Sequence, residues 1–169
     1  MQYLLVLAAT FLSIQSAQGD RVRSGVPVVI NGGMLQIGRD QVAIDGIAAP
    51  ALIQHCTNAA GEYYGCGRNS ARALQELISG QTVQCRIVRR ESMTAHCLVR
   101  GHDVGEAMLR AGHAVVARGV RVRTYEAAQT DARRNRRGLW SGRFLHPQDW
   151  QVQFRRSSPI AGCASLESC

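Results

Sequence analysis

Lysine is absent from the 169-residue sequence: all 20 basic side chains are arginine, and only 12 side chains are acidic. The formal net charge is +8 and the sequence pI is near 9.8. Every positive charge can therefore offer a planar guanidinium to a phosphate or carboxylate, although a GC-rich codon bias would equally explain the missing lysine. Hydrophobic residues make up 46% of the chain, which excludes wholesale disorder and supplies one modest core.

No hydrophobic run near the N-terminus is long enough to span a bilayer. Residues 4–12 are apolar, and small and polar residues follow them, a pattern typical of a secretory signal peptide. The first residues lack the Lys or Arg that such a peptide normally carries. We expect a signal peptide at residues 1–19, a domain at residues 20–156 and a tail at residues 157–169, in a periplasmic or secreted protein.

The sequence has no C-x-x-C pair, so structural zinc is a weaker interpretation of its six cysteines than disulfides. An even number of cysteines in an exported protein indicates oxidised pairs. Cys85 and Cys97 stand on two consecutive strand-like segments, so we expect them to pair with each other. Cys163 and Cys169 would close a small ring in the tail if they pair.

Turn signals divide the middle of the chain into short elements. Asn31 and Gly32 predict a hairpin, and a second turn after it adds a third strand. Two further strands are expected over residues 81–88 and 93–100. Helices are expected from Asn69 or Ser70 to Gly80, from Asp103 to Arg110 and from Thr124 to Gly138. The order β-β-β-α-β-β-α-α predicts a β-barrel plus helices, in the α+β class: a five-stranded OB-fold with about three α-helices.

Several motifs in a fixed order resemble the thermonuclease-like (micrococcal nuclease-like) family. Residues 31–34, Asn-Gly-Gly-Met, stand where that family has Asp-Gly-Asp-Thr, and residues 43–51 stand where it has Arg-Leu-x-Gly-Ile-Asp-Ala-Pro-Glu. Residues 104–108 and the Gly-Leu-Trp of residues 138–140 follow the cysteine-containing branch of the family. The resemblance covers roughly residues 28–150. It implies the five-stranded thermonuclease fold and two disulfides, Cys56 with Cys66 and Cys85 with Cys97.

The resemblance also implies where catalysis should occur, and there this sequence departs from the family. The family holds calcium with carboxylates, uses a Glu to assist the attacking water and binds the phosphate with two arginines. Those positions fall here on Gly33, Ala43, Ala48, Ala51 and Ser92. Such side chains supply neither charge nor an activated water. We therefore expect no retained catalytic residue, no cofactor and no phosphodiester hydrolysis.

A metal-dependent phosphodiesterase with a rearranged site is the alternative enzyme hypothesis. Asp45 is the acid that lies inside the motif, which makes it a weak metal candidate, and calcium would be required if this alternative holds. His55 and His96 are conceivable substitute bases, although a lone histidine beside Cys97 is more often a surface residue of a strand. Ser92 lacks the G-x-S-x-G context of a serine nucleophile.

Arginine is concentrated in residues 118–143, where Glu126 and Asp131 are the only acids. One interpretation is a solvated helix face; the other is a surface that binds nucleic acid or another polyanion. Few aromatic residues interleave with these arginines, so binding should be electrostatic and independent of base sequence. The candidates, including two arginines beside the vacated catalytic position, are Arg89, Arg90, Arg118, Arg121, Arg123, Arg133, Arg134, Arg136 and Arg137.

Three functions of different classes remain open from the sequence. The first is an exported nuclease-like protein that has lost hydrolysis and binds nucleic acid or another polyanion. The second is the active phosphodiesterase, and the third is a disulfide-braced module of the cell envelope that binds another protein. The vacated positions and the arginine content favour the first, and we expect a monomer without a membrane span.

Overall fold

A computed structural model describes residues 21–157 of the chain. Short strands and four α-helices alternate along this range. The strands are β1 (Val22–Gly25), β2 (Val28–Asn31), β3 (Met34–Ile37), β4 (Asp40–Ile44), β5 (Ile47–Ala48), β6 (Cys56–Thr57), β7 (Tyr63–Tyr64), β8 (Val83–Arg89), β9 (Thr94–Val99), β10 (His102–Asp103) and β11 (Val115–Val116). The helices are α1 (Cys66–Ile78), α2 (Val104–Arg110), α3 (Arg123–Arg134) and α4 (Pro147–Ser157), with a 3₁₀ helix at Gly138–Ser141.

One mixed sheet holds most of the strands, in the order β1-β8-β9-β4-β3-β2, with β10 paired to β9. The β4–β9 pair is parallel, and the other pairs of this sheet are antiparallel. The predicted α+β OB-type fold is confirmed. The prediction of a closed five-stranded barrel was wrong: the sheet has seven strands within the described residues, including β1 at the edge of β8, and it does not close. Within residues 21–157, β1 and β2 lie at the two ends of the sheet and do not pair.

The core lies between this sheet and helices α1, α2 and α3. Successive side chains of a strand point to opposite faces of a sheet, and the residues of β8 accordingly alternate between buried and exposed over most of its length. Leu35, Val42, Leu74, Cys97 and Met108 are at most 1% exposed. The apolar residues of β3, β4, β8 and β9 thus bury one face of the sheet, which leaves the intervening side chains on the other face.

Helix α1 begins at Cys66, earlier than the predicted Asn69 or Ser70. Its N-cap is Gly65, and no side chain caps it. Ser70 is fully buried, and its hydroxyl donates a hydrogen bond to the backbone oxygen of His113 at 2.6 Å. The prediction of the helix start was wrong because this serine satisfies a buried carbonyl of a distant segment instead of the first turn of α1.

The other helices agree with the sequence in part. Helix α2 begins after Asp103, whose carboxylate accepts a hydrogen bond from the N–H of Glu106 at 3.0 Å, as expected of an N-cap. Helix α3 ends at Arg134, earlier than the predicted Gly138. Helix α4 starts at Pro147, a favourable first helical residue, and the sequence analysis does not predict it.

Both disulfides that the resemblance implied are present. Cys56 is bonded to Cys66 with a Cα–Cα distance of 5.6 Å, and Cys85 is bonded to Cys97 with a Cα–Cα distance of 4.0 Å. The second bond joins residues that face each other on β8 and β9. Structural disulfides are characteristic of oxidising compartments such as the periplasm or the extracellular space.

The ends of the chain lie outside the described residues. These ends contain the expected signal peptide, the expected Cys163–Cys169 bond and all of the expected tail except Ser157. Among residues 21–157, no helix is both long and apolar enough to cross a membrane.

Candidate functional site

The turn between β2 and β3 lies against two of the segments that carry the vacated family positions. The backbone oxygen of Gly33 accepts a hydrogen bond from the N–H of Ile44 at 2.9 Å, which holds this turn beside β4. A Cβ atom added to Gly33 would lie 3.3 Å from the Cβ of Ala49. The turn therefore also contacts the segment that contains Ala48 and Ala51.

The loop between β8 and β9 completes this surface. The N–H of Ala43 donates to the backbone oxygen of Met93 at 2.9 Å, which ties β4 to the loop. Ser92 is exposed, and its Oγ lies 2.7 Å from the Oγ1 of Thr94. These contacts bring the backbone of Gly33, Ala43 and the loop before Thr94 together. The side chain of Ala48 is instead buried in the smaller cluster that contains Val115 and Leu139.

The side chains at these positions are small or are used within the fold. The side chain of Asn31 accepts a hydrogen bond from the N–H of Gly33 at 2.9 Å, so it stabilises the turn. Asp45, the weak metal candidate, lies 2.5 Å from a guanidinium nitrogen of Arg89. Asp45 and Arg89 therefore neutralise each other, and Arg89 is a weaker polyanion candidate than the sequence suggested.

Calcium does not fit the residues at this surface. A calcium ion takes six to eight oxygen ligands, whereas glycine and alanine side chains have no oxygen. Asp45 is already occupied by Arg89. Within residues 21–157, no group of three or more His, Cys, Asp or Glu side chains is arranged to hold a metal.

A hydrogen-bonded group that the sequence analysis missed joins β9 to α3. His96 Nε2 lies 2.8 Å from a carboxylate oxygen of Asp103, and the hydroxyl of Tyr125 donates to the same carboxylate at 2.9 Å. Burial, and next the hydrogen bond to Asp103, raise the pKa of Tyr125 far above its usual range. Tyr125 is 22 residues from Asp103, so no local pattern could reveal that it joins the group.

His55 does not belong to this group. It is exposed, and its Nδ1 lies 3.0 Å from the backbone oxygen of Ile53. The substitute bases suggested by the sequence therefore have different surroundings: only His96 is positioned by a carboxylate.

Several of the predicted polyanion-binding arginines contact acidic or aromatic side chains. Arg118 forms an ion pair with Asp149. Arg137 lies 2.5 Å from Asp131, and the guanidinium of Arg133 lies 5.5 Å from the ring centre of Trp140. The two ion pairs neutralise part of the positive charge that the sequence alone suggested, and the contact with Trp140 orients Arg133 without neutralising it.

Four exposed arginines form no ion pair with another described residue, and we call them the arginine surface. They flank or lie on α3, and Arg123 and Arg134 are eleven residues apart, which is close to three helical turns. The side chains of Arg123 and Arg134 therefore lie on the same side of α3, while Arg121 precedes the helix and Arg136 follows it. The members of the arginine surface are Arg121, Arg123, Arg134 and Arg136.

Arg136 stands at a position that favours glycine. The N–H of Arg137 donates to the oxygen of Ala132 at 2.9 Å, and the N–H of Arg136 donates to the oxygen of Arg133 at 3.2 Å, the two hydrogen bonds of a Schellman motif. Arg136 has a φ of +50°. This left-handed conformation costs a residue with a Cβ atom about 1 kcal/mol or more, so the chain retains Arg136 against its own stability.

We expect Arg136→Gly to raise the free energy of unfolding by about 1 kcal/mol, because glycine adopts the left-handed conformation without steric cost. Urea denaturation of the variant and the wild type measures the change. The matched control is Arg134→Gly at the last residue of α3, which has no left-handed conformation for glycine to relieve and should therefore not become more stable. A loss of stability in both variants would contradict the role assigned to the end of this helix.

Two comparisons with known proteins agree with this geometry. Residues 41–142 match the family described as Staphylococcal nuclease homologue. The chain is also similar to the succinoglycan biosynthesis protein ExoI of Rhizobium meliloti (strain 1021), with 27% identity over 146 residues, which cover 83% of this chain and 76% of that protein. The matched residues include four of the five vacated positions: Ala43, Ala48, Ala51 and Ser92.

Proposed function

The chain belongs to the staphylococcal nuclease homologue family, and from this premise we propose that it is an exported member that no longer hydrolyses phosphodiesters and binds a polyanion through the arginine surface. The proposal places the protein in the periplasm or outside the cell, where its two disulfides would remain oxidised. No calcium or other cofactor takes part in this function.

The proposed loss of hydrolysis is supported by the chemistry of the five vacated positions. Phosphodiester hydrolysis needs positive charge on the phosphoryl oxygens and an activated water. The chain has Gly33, Ala43, Ala48, Ala51 and Ser92 at the positions where the family resemblance implies carboxylates and arginines. The neighbouring Arg89 is held by Asp45, so it is not free to replace either of the missing arginines.

The observation that carries the proposed binding is the exposed, unpaired state of the arginine surface within residues 21–157. A polyanion that contacts such arginines releases its condensed counterions, which drives binding and makes it depend on salt. The name of the similar protein ExoI refers to a glycan, so an anionic polysaccharide is a ligand class to test beside nucleic acid.

A salt series tests this proposal. Binding of the protein to fluorescent single-stranded oligothymidylate and to polygalacturonate is measured by anisotropy between about 50 and 200 mM salt. We expect replacement of all four members of the arginine surface by Gln to weaken binding about 10- to 100-fold at low salt. The slope of log K against log salt concentration should become shallower by about 0.7–0.9 for each lost contact.

The matched control removes the same number of exposed charges elsewhere, with Gln in place of Arg39, Arg68, Arg72 and Arg86. This control should bind nearly as well as the wild type, since its arginines lie outside residues 118–143. Equal weakening in both quadruple variants would indicate a diffuse effect of net charge. Absence of salt-dependent binding by the wild type would overturn the proposal.

A further inference from the structure

A cavity lies at the end of the β8–β9 hairpin that is opposite to the loop carrying Ser92. Its volume is about 360 Å³, within the range of small-ligand sites, and it lies between α1, α2 and the β9–β10 turn. A neighbouring cavity of about 410 Å³ shares Gln81 and Arg100 with it. Leu77, Val99 and Ala107 form the apolar part of the cavity walls. Gln81, Arg100 and His102 are among the polar residues that line it.

Arg100 is held in a conformation that arginine rarely adopts. It has a φ of +49° and the following Gly101 has a φ of +79°, and the two residues connect Val99 to His102, which pair across the β9–β10 turn. Two positive φ values in a two-residue turn define a type I′ turn, where Asn-Gly is the preferred sequence. Arginine is disfavoured at the first position, so its presence there indicates a role for the side chain.

Gln81 supplies a second, independent observation. Its side-chain oxygen is buried and accepts no hydrogen bond from any described residue. A buried acceptor without a donor is unfavourable, and a hydroxyl donor in the adjoining cavity would remove this penalty after a small rotation of the amide.

Four charged side chains line the cavity, two acidic and two basic. The carboxylate of Glu106 lies 2.5 Å from Arg110, and Asp103 accepts hydrogen bonds from the N–H of Glu106 and from the hydroxyl of Tyr125. Arg100 is exposed and forms no ion pair with a described residue. An anionic group in the cavity would therefore be attracted to Arg100.

The cavity also adjoins the arginine-rich end of α3. Arg110 lies 4.0 Å from Asp131, and Arg137 lies 2.5 Å from the same carboxylate. A side-chain nitrogen of Arg137 donates to the backbone oxygen of Arg110 at 3.2 Å. A polymer that follows the arginine surface could thus reach the cavity across Arg137 and Arg110.

We propose that this cavity binds one carboxylate-bearing sugar unit of an anionic polysaccharide. The carboxylate pairs with Arg100, a hydroxyl donates to the side-chain oxygen of Gln81, and the apolar face of the sugar ring packs on Leu77 and Val99. No Phe, Tyr or Trp among the described residues lines either cavity, which disfavours a stacked nucleobase. This inference rests on the proposed function, since it selects the polysaccharide as the polyanion.

Titration calorimetry with trigalacturonate tests the cavity, because so short a ligand contacts few residues. We expect the wild type to bind it, and Arg100→Asn to weaken binding about 10- to 100-fold through loss of a charge-assisted hydrogen bond. Asparagine suits the first position of a type I′ turn, so this variant should unfold at the same temperature as the wild type or higher. The matched control is Arg39→Asn, an exposed arginine of the β3–β4 turn, which should bind trigalacturonate like the wild type.

The outcomes separate this inference from the proposed function. Trigalacturonate binding that Arg100→Asn does not change, or no binding by the wild type, would overturn the cavity site while salt-dependent binding of the long polymers still supported the arginine surface. A loss of oligothymidylate binding alone in Arg100→Asn would assign the cavity to nucleic acid and overturn the sugar. Equal binding of neutral maltotriose would overturn the role of the carboxylate.

Discussion

Purified protein incubated with DNA or RNA and calcium is expected to release no nucleotides above a protein-free control. Removing one well-placed hydrogen-bond donor from a catalytic site costs about 10²- to 10³-fold in rate, and removing a transition-state arginine costs about 10³- to 10⁵-fold. The loss of several such groups at Gly33, Ala43, Ala48, Ala51 and Ser92 therefore leaves no useful rate. Gel electrophoresis of labelled single- and double-stranded substrates over several hours measures the outcome.

Asp45→Ala is the decisive control for this prediction. Asp45 is the acid inside the motif of residues 43–51, and it is paired with Arg89. Calcium-stimulated cleavage by the wild type that disappears in Asp45→Ala would show a rearranged catalytic site and refute the loss of hydrolysis. If cleavage persists in the presence of a chelator and in Asp45→Ala, it does not come from a calcium site at this surface.

Local turn chemistry predicted much of the fold. Asn31 and Gly32 mark the β2–β3 turn, and Asp103 caps α2 as expected. These features depend on residues close together in the sequence, whose conformational preferences hold in most surroundings. The two disulfides inside the domain were also predicted, Cys85–Cys97 from neighbouring strands and Cys56–Cys66 through the family resemblance.

The features that were missed depend on residues far apart in the sequence. Pairing of β1 with β8 joins residues 22–25 to residues 83–86, and neither segment carries a signal for the other. The start of α1 was misplaced because Ser70 bonds to His113, which also requires the folded arrangement. Long-range pairing overrides local propensity in such cases.

The charges of the candidate site depend on contacts between residues far apart in the sequence. The five vacated positions, which the family resemblance implies, stay a prediction, and the sequence could not show that Asp45 and Arg89 neutralise each other. Nor could it separate the arginines with acidic partners from the unpaired ones, since an ion pair such as Arg118 with Asp149 joins different elements. Net charge is therefore a poor guide to the surface available for a polyanion, and the arginine surface is smaller than the arginine content suggests.

Two arginines that stand in left-handed conformations connect stability with the proposed binding. Arg100 and Arg136 have φ values of +49° and +50°, at positions where Asn or Gly would be more stable. Residues held in such conformations occur preferentially at functional sites. Both side chains are exposed, so the contacts that favour arginine there would come from a ligand. Replacing Arg100 by Asn or Arg136 by Gly is therefore expected to raise the free energy of unfolding and to weaken ligand binding.

Replacing Cys85 and Cys97 together with alanine is expected to lower the free energy of unfolding by about 3–5 kcal/mol. The bond closes a loop with a sequence separation of 12, and in the chain-entropy description a loop of this length restricts the unfolded chain by about 3 kcal/mol. Both cysteines are 0% exposed, so alanine also removes packed sulfur atoms from the main core. Urea denaturation under non-reducing conditions measures the loss.

The double replacement of Cys56 and Cys66 is the matched control, because that bond closes a loop of similar length, with a sequence separation of 10. Its two cysteines belong to the smaller cluster around Leu139, not to the main core. The effect on the unfolded chain should therefore be nearly equal in the two variants, and the variant lacking Cys85 and Cys97 should lose more stability by about 1 kcal/mol from packing. A larger loss for the Cys56 and Cys66 variant would show that the loop beside the vacated positions, and not the core of the sheet, depends most on its disulfide.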